Sequence, residues 1–210
     1  MTTNIDAMVF DIGEVLLNTG ARHLYRKLFT DEQEMEYFLA NVLTSTLRSS
    51  WNLSANVEAE VEQLAVLHPK YAMQIRAFFL RFEETVAGTV AGMSELVRTI
   101  DPAIRLFALS NWGGDTFSKV AHMIPERKRF VDIIISGAVG MKKPDTRIFT
   151  LARDRFGVVP SRTIFIDDKV ANVEASKKLG FIGMHFVGAP ALRTSLTAHN
   201  IVINRPKETS

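Results

Sequence analysis

The sequence contains no cysteine, so disulfides, thiolate metal sites and thiol nucleophiles are all excluded. No apolar run approaches the ~18 residues that a bilayer-spanning helix needs, and no membrane span is expected. The opening residues, Met1-Thr2-Thr3-Asn4-Ile5-Asp6, lack the basic stretch followed by an apolar stretch that marks a secretory leader. A reducing, cytoplasmic setting is the expectation. Charge of one sign is also scarce: 25 basic against 23 acidic residues leave a net charge of +2. The basic residues are scattered apart from Arg127-Lys128-Arg129, which reads as a solvated turn after Pro125. No nucleic-acid partner is expected from such a pattern. A weak positive excess still favours the approach of a small anion.

What is present is ordinary for a globular chain. Apolar residues make up 47% and charged residues 23% of 210 positions, enough for one core and a modest inserted module. The informative positions are carboxylates. Met8-Val9-Phe10 is a short apolar run that ends in Asp11 and continues as Ile12-Gly13. Far along the chain, Thr163-Ile164-Phe165-Ile166 ends in Asp167-Asp168. Both read as buried strands with acids at their carboxyl ends, where an open parallel sheet forms its ligand crevice. Converging carboxylates there suit a hard divalent cation, with one carboxylate left to act as a nucleophile.

The rest of the chain divides into two regimes. Asn18-Thr19-Gly20 reads as a turn, and from there to about Gly88 the periodicity is helical. Thr30 and Gln33 resemble a capping box, Asn56 caps a second helix that Pro69 terminates, and Tyr71 through Val86 mark a third. From Met93 onward helices and strands alternate, with Pro144 in the first turn of a helix and Gly180 closing another. The fold class expected is α/β: a doubly wound parallel sheet with an inserted α-helical cap. Residues 1–17 and 88–210 form the core, and residues 18–87 the cap.

Polar stations follow successive core strands: Asp11, then Ser110-Asn111, then Lys143-Pro144, then Asp167-Asp168 with Asn172. Each has a plain structural explanation as a cap, a turn former or a solvated cation. Adjacent acids at a strand tip, however, repel one another unless a cation intervenes. A carboxylate attacks phosphorus only when cations screen the negative charges involved. Lys143 offers such a charge, Ser110 a hydroxyl, and the amides near Asn111 a helix start at which anions bind.

The segments Val9-Phe10-Asp11-Ile12-Gly13, Leu109-Ser110-Asn111-Trp112, Gly140-Met141-Lys142-Lys143-Pro144-Asp145 and Phe165-Ile166-Asp167-Asp168 through Asn172 resemble the four motifs of the haloacid dehalogenase superfamily. The resemblance covers nearly the whole chain. It is nearest to subfamily I members with a helical C1 cap, in the branch of the alpha-glucose-1-phosphate phosphatases. It implies a Mg²⁺-dependent phosphatase acting on a small phosphorylated metabolite, as a monomer or homodimer. By the same resemblance Asp11 is phosphorylated and also binds Mg²⁺, as do the main-chain carbonyl of Gly13 and Asp168. Asp167 assists directly or through water, and Asn172 orients that acidic loop. Ser110 and Asn111 contact the phosphoryl group, and Lys143 stabilises pentacoordinate phosphorus.

One position departs from the pattern. Most phosphatases of the family carry a second aspartate where this chain has Gly13, and that aspartate protonates the leaving alcohol. General acid–base catalysis contributes ~10²–10⁴-fold, so three explanations stand: a substrate with a good leaving group, a substitute such as Glu14 or the cap residue His23, or lost catalysis with phosphate binding retained. Trp51, His23 and Trp112 are candidate pocket residues. Other readings are a metal-independent 2-haloacid dehalogenase, against which the paired acids argue, and a catalytically weakened phosphate-binding protein.

Overall fold

A period of two along each core strand fixes the central layer. In β1 (Ala7–Phe10) every residue is buried, with Met8 and Phe10 facing one side of the sheet and Ala7 and Val9 the other. The computed structural model describes residues 5–54, 56–199 and 201; the leader reading of residues 1–4 lies outside them. After β1 come β2 (Leu17–Thr19), α1 (Ala21–Tyr25), α2 (Glu32–Asn41), α3 (Ser45–Trp51), α4 (Val57–Leu67), α5 (Ala72–Leu80) and β3 (Val86–Thr89). Then follow α6 (Met93–Thr99), β4 (Arg105–Ser110), α7 (Gly114–Val120), β5 (Phe130–Ile135) and α8 (Ser136–Val139). The chain closes with α9 (Thr146–Phe156), β6 (Thr163–Asp167), α10 (Val170–Lys178), β7 (Ile182–His185) and α11 (Ala189–Ala198).

Five strands form one parallel sheet in the order β5-β4-β1-β6-β7. β1 is central, and the order reverses beside it, which opens the crevice at the carboxyl ends of β4, β1 and β6. One face packs on α9 through Ile148, Phe149, Ala152 and Phe156; the other carries α6, α11 and the inserted helices in a continuous core. Among the described residues no helix is long and apolar enough to cross a membrane.

Several local expectations change. Asn18-Thr19-Gly20 is not a free turn: β2 pairs antiparallel with β3, Asn18 opposite Gly88. The segment before Gly88 is therefore not helical throughout, because Phe82–Thr85 forms a 3₁₀ turn that runs straight into β3. Helices α1 to α5 lie between the strands of this ribbon. The cap of α2 is Asp31, whose carboxylate accepts from the Gln33 N–H at 2.8 Å, and not Thr30. Pro144 precedes the cap of α9, which is Asp145, and follows a cis Lys143–Pro144 bond. Asn56 does cap α4. Arg129 is not simply solvated: it donates to the carbonyls of Val97 and Ile100 at the end of α6.

Candidate active site

The strand ends bring the predicted stations together. Asp11 extends the ladder of β1, its N–H donating to the Ile166 carbonyl at 2.8 Å. Ser110 ends β4 on one side and Asp167 ends β6 on the other. Asp11, Ser110, Lys143, Asp167 and Asn172 are all buried, while Asp168 is half-buried.

Lys143 is the hub. Its ammonium donates to the Leu109 carbonyl and Asp167 Oδ2, both at 2.7 Å, and lies 3.0 Å from Asp11 Oδ1. It thus makes two hydrogen bonds and one further ion pair, all to buried oxygens. Asp167 is also saturated: Oδ1 accepts from the Lys169 N–H and Asn172 Nδ2, and Oδ2 from Lys143 and Asn172. Its carboxylate is an anchor for Lys143.

The nucleophile candidate is asymmetric. Asp11 Oδ1 lies within reach of three donors, namely the Ile12 N–H at 2.7 Å, the Ser110 hydroxyl at 2.8 Å and Lys143. Among the described residues no donor reaches its Oδ2. Burial pushes the Asp11 carboxyl up from its ordinary range, and Lys143 opposes that shift. Burial likewise raises Asp168, which faces the same space. Carboxylate oxygens of Asp11, Asp167 and Asp168 lie within 4.8 Å of one another. Carboxylates this close suit a divalent cation, and the unsaturated oxygens belong to Asp11 and Asp168. The residues present therefore fit a magnesium ion.

Asn111 lines the cavity over these groups, and its side chain is bonded to the main chain of Lys143. Its Nδ2 donates to the Lys143 carbonyl and its Oδ1 accepts from the Lys143 N–H, both at 2.8 Å. Ser136 Oγ also lies 2.9 Å from that Oδ1. The side chain is thus occupied with the lysine. His185, at the tip of β7, contacts the Asp168 carbonyl at 3.0 Å and so braces the acidic loop.

A cavity of ≈ 360 Å³ opens over these groups, lined by Asp11, Gly13, Ser110 and Asp168 at its base and by residues of α3 to α5 above. Glu14, Trp51 and Trp112 line it; His23 does not, and its ring contacts Asn18 Oδ1 at 3.2 Å. Glu14 holds a left-handed backbone (φ 59°), and its Oε1 accepts from both the N–H and the hydroxyl of Thr19 at 2.7 Å. Sequence reasoning missed Arg48, which lines the cavity with no carboxylate within 4 Å among the described residues. Burial lowers its affinity for the proton. It also missed Asp115, whose Oδ2 accepts from the Val57 N–H at 2.8 Å and joins α7 to the start of α4. An arginine without a partner acid nearby in sequence was the only available signal for the first, and nothing marked the second.

A doubly wound parallel sheet with Asp11 and Ser110 at adjacent strand ends, and a buried lysine from the loop after α8 beside them, defines a layered α/β protein with a carboxylate-lined crevice. The chain belongs to the haloacid dehalogenase-like hydrolases, whose family profile matches residues 5–180. It is 28% identical over 102 residues to the sesquiterpene phosphatase astK of Aspergillus oryzae, a match that covers 48% of this chain and 52% of that protein. The chain thus spans about half the length of that relative. Among solved structures it resembles a HAD family enzyme of Bacteroides thetaiotaomicron in complex with magnesium and inorganic phosphate, with TM-score 0.62 and 16% identity, over 89% of this chain and 96% of that one. It also resembles the L-2-haloacid dehalogenase of Xanthobacter autotrophicus with chloropropionic acid covalently bound, with TM-score 0.63 and 17% identity, over 94% and 84% of the two chains. At such identities the likeness shows the fold alone.

Proposed function

We propose that the protein is a Mg²⁺-dependent phosphatase that hydrolyses a small phosphorylated metabolite through a phospho-Asp11 intermediate. The observation that carries this reading is the asymmetry of Asp11: Oδ1 is held by the Ile12 N–H, the Ser110 hydroxyl and Lys143, while among the described residues no donor reaches Oδ2, and Asp168 belongs to the same acidic cluster. Oδ2 forms a bond to phosphorus as the bond from phosphorus to the leaving oxygen breaks, and water then cleaves the acyl phosphate. Ser110 and the main chain of Asn111 bind phosphoryl oxygens. Lys143 keeps Oδ1 in place and shares its charge with the incoming group. Mg²⁺ would be held by Asp11, Asp168 and the Gly13 carbonyl, and would screen the charge between nucleophile and phosphoryl group. Asp167 acts through Lys143 and Asn172.

Residues 18–87 serve as the cap that closes the cavity from above. The contacts that join it to the core support this: Asp115 to Val57, and Lys142 Nζ to the Ser49 carbonyl at 3.2 Å. Closure would exclude water during transfer and readmit it for hydrolysis. The sesquiterpene phosphatase relative and the magnesium–phosphate complex of the Bacteroides enzyme agree with this chemistry. The test is phosphate release from a panel of phosphomonoesters with Mg²⁺, for the native chain and for Asp11→Asn. Release by the native chain alone is expected; equal release by both would reject the reading.

A further inference from the structure

Among the described residues the cavity offers no free acid for a departing alcohol, and it has an aromatic wall. Its titratable lining residues are Asp11, Glu14, Arg48, Asp168 and Lys169. Asp11 is the nucleophile and Asp168 belongs to the metal site. Glu14 is tied to Thr19 through its Oε1. Arg48 does not act as an acid, since a guanidinium stays protonated, and Lys169 is exposed. The gap at Gly13 is not enforced by space: a Cβ there would meet nothing nearer than Thr19 Oγ1 at 3.5 Å. An acid would fit there, and among the described residues no other free one takes its place.

The aromatic residues point the same way. Trp51, Phe78, Phe82 and Trp112 all line the cavity and touch in series, with ring centroids 5.4, 5.3 and 6.2 Å apart. The series runs from the inserted helices to the loop after β4, so it forms one wall above the phosphoryl site. Flat apolar rings are the natural complement of such a wall.

We infer that the preferred substrates are aryl phosphates, in which a flat ring carries the phosphate on a phenolic oxygen. This rests on the phosphatase reading and names its substrate class. As Asp11 Oδ2 bonds to phosphorus, the electron pair of the breaking P–O bond leaves on the phenolate oxygen. A phenol with a pKa of about 10 departs as the anion and takes its proton from solvent after release. The water that cleaves phospho-Asp11 gives its hydroxyl to phosphorus and its proton to the released phosphate. Alkyl and sugar phosphates would have to expel an alkoxide, and they lack the help that an acid would bring, ~10²–10⁴-fold.

The experiment compares kcat/KM of the full chain with Mg²⁺ over substituted phenyl and naphthyl phosphates, acetyl phosphate, glucose 6-phosphate and a prenyl phosphate. The expected result is a steep fall among the aryl esters as the phenol pKa rises, with alkyl and sugar esters ~10²-fold or more below them. Gly13→Asp should shrink the aryl-to-alkyl ratio by a comparable factor, with folding checked by circular dichroism. Trp112→Leu should raise KM for naphthyl phosphate more than for acetyl phosphate, which carries no ring. Sugar or prenyl phosphates within tenfold of the aryl esters would overturn this inference and leave the phosphatase reading standing. So would a ratio insensitive to Gly13→Asp, or a steeper fall on Glu14→Gln, which would make Glu14 the acid. Inertness toward the whole panel would remove the phosphatase reading itself, and this inference with it.

Discussion

Asn111 grips the main chain of Lys143 at both ends, donating to its carbonyl and accepting from its N–H at 2.8 Å. The pair lies 32 positions apart in sequence, and the grip sets where the loop after α8 delivers its ammonium. Ser136 braces the same amide, with its Oγ also 3.2 Å from the Ser110 carbonyl. A residue in the motif that follows β4 thus positions the lysine of the next motif.

Asn111→Ala should therefore lower kcat far more than it raises KM. A misplacement of about 1 Å costs ~10²-fold, and steady-state kinetics on an aryl phosphate would show it. A change confined to KM would mean that Asn111 touches substrate through its side chain after all.

Lys143→Met should destabilise the fold as well as abolish turnover. It removes the ammonium between the buried carboxylates of Asp11 and Asp167, and breaking a buried ion pair costs about 3–5 kcal/mol. Adding Asp11→Asn to the same chain relieves one of the stranded charges. Urea denaturation should then show part of the loss returned; strict additivity would deny the coupling.

Removal of divalent cations should stop turnover reversibly. Asp11 and Asp168 are both pushed up by burial, the condition that a bound cation relieves. Treatment with EDTA followed by excess Mg²⁺ is the check: activity should vanish and return, and full activity in chelator would exclude the metal.

Gly137→Ala should be costly although the position lies outside the catalytic groups. A Cβ there would collide with the Gly114 amide and come within 2.9 Å of the Ser54 carbonyl, backbone atoms that do not move aside. Overpacking of this sort costs about 1–3 kcal/mol or more. Thermal unfolding of the variant would measure it.

A milder effect is expected at acid pH from Asp132 on β5. The hydrogen bonds from Arg155 at 2.7 and 2.9 Å hold its carboxyl below the ordinary range. A depressed folded value contributes stability that is present above the unfolded pKa of ~3.9 and lost as pH falls through the folded one. Solvent screens the pair, since the arginine side chain is 45% exposed, so the share is about 0.2–1 kcal/mol. Asp132→Asn should lower stability at pH 7 by that amount and flatten the pH dependence below pH ~4.

The apolar runs of β1, β4 and β6 and the polar residues that end them were legible because strand burial and strand-end chemistry are local patterns. So was most of the helical stretch read between Gly20 and Gly88, which ends in the structure with α5 at Leu80. The ribbon of β2 and β3 was not, since Asn18 acquires its strand character only by pairing with Gly88, and a residue's own neighbours do not encode a partner so distant. The cap of α2 moved by one residue, from Thr30 to Asp31, which is within the usual uncertainty of helix ends.

By itself the amino-acid order determined the α/β layering, the helical insertion and the set of polar residues that end the strands. These follow from hydrophobic period and residue type along short stretches. Only the tertiary structure decided what those polar residues do to one another. It placed Lys143 between Asp11 and Asp167, turned the Asn111 amide onto the lysine, anchored Glu14 on Thr19 and set Arg48 and an aromatic wall above Asp11. Hydrogen bonds and ring contacts of this kind depend on distances of a few ångströms between segments far apart in the chain, and those distances exist only once the sheet and the inserted helices have packed.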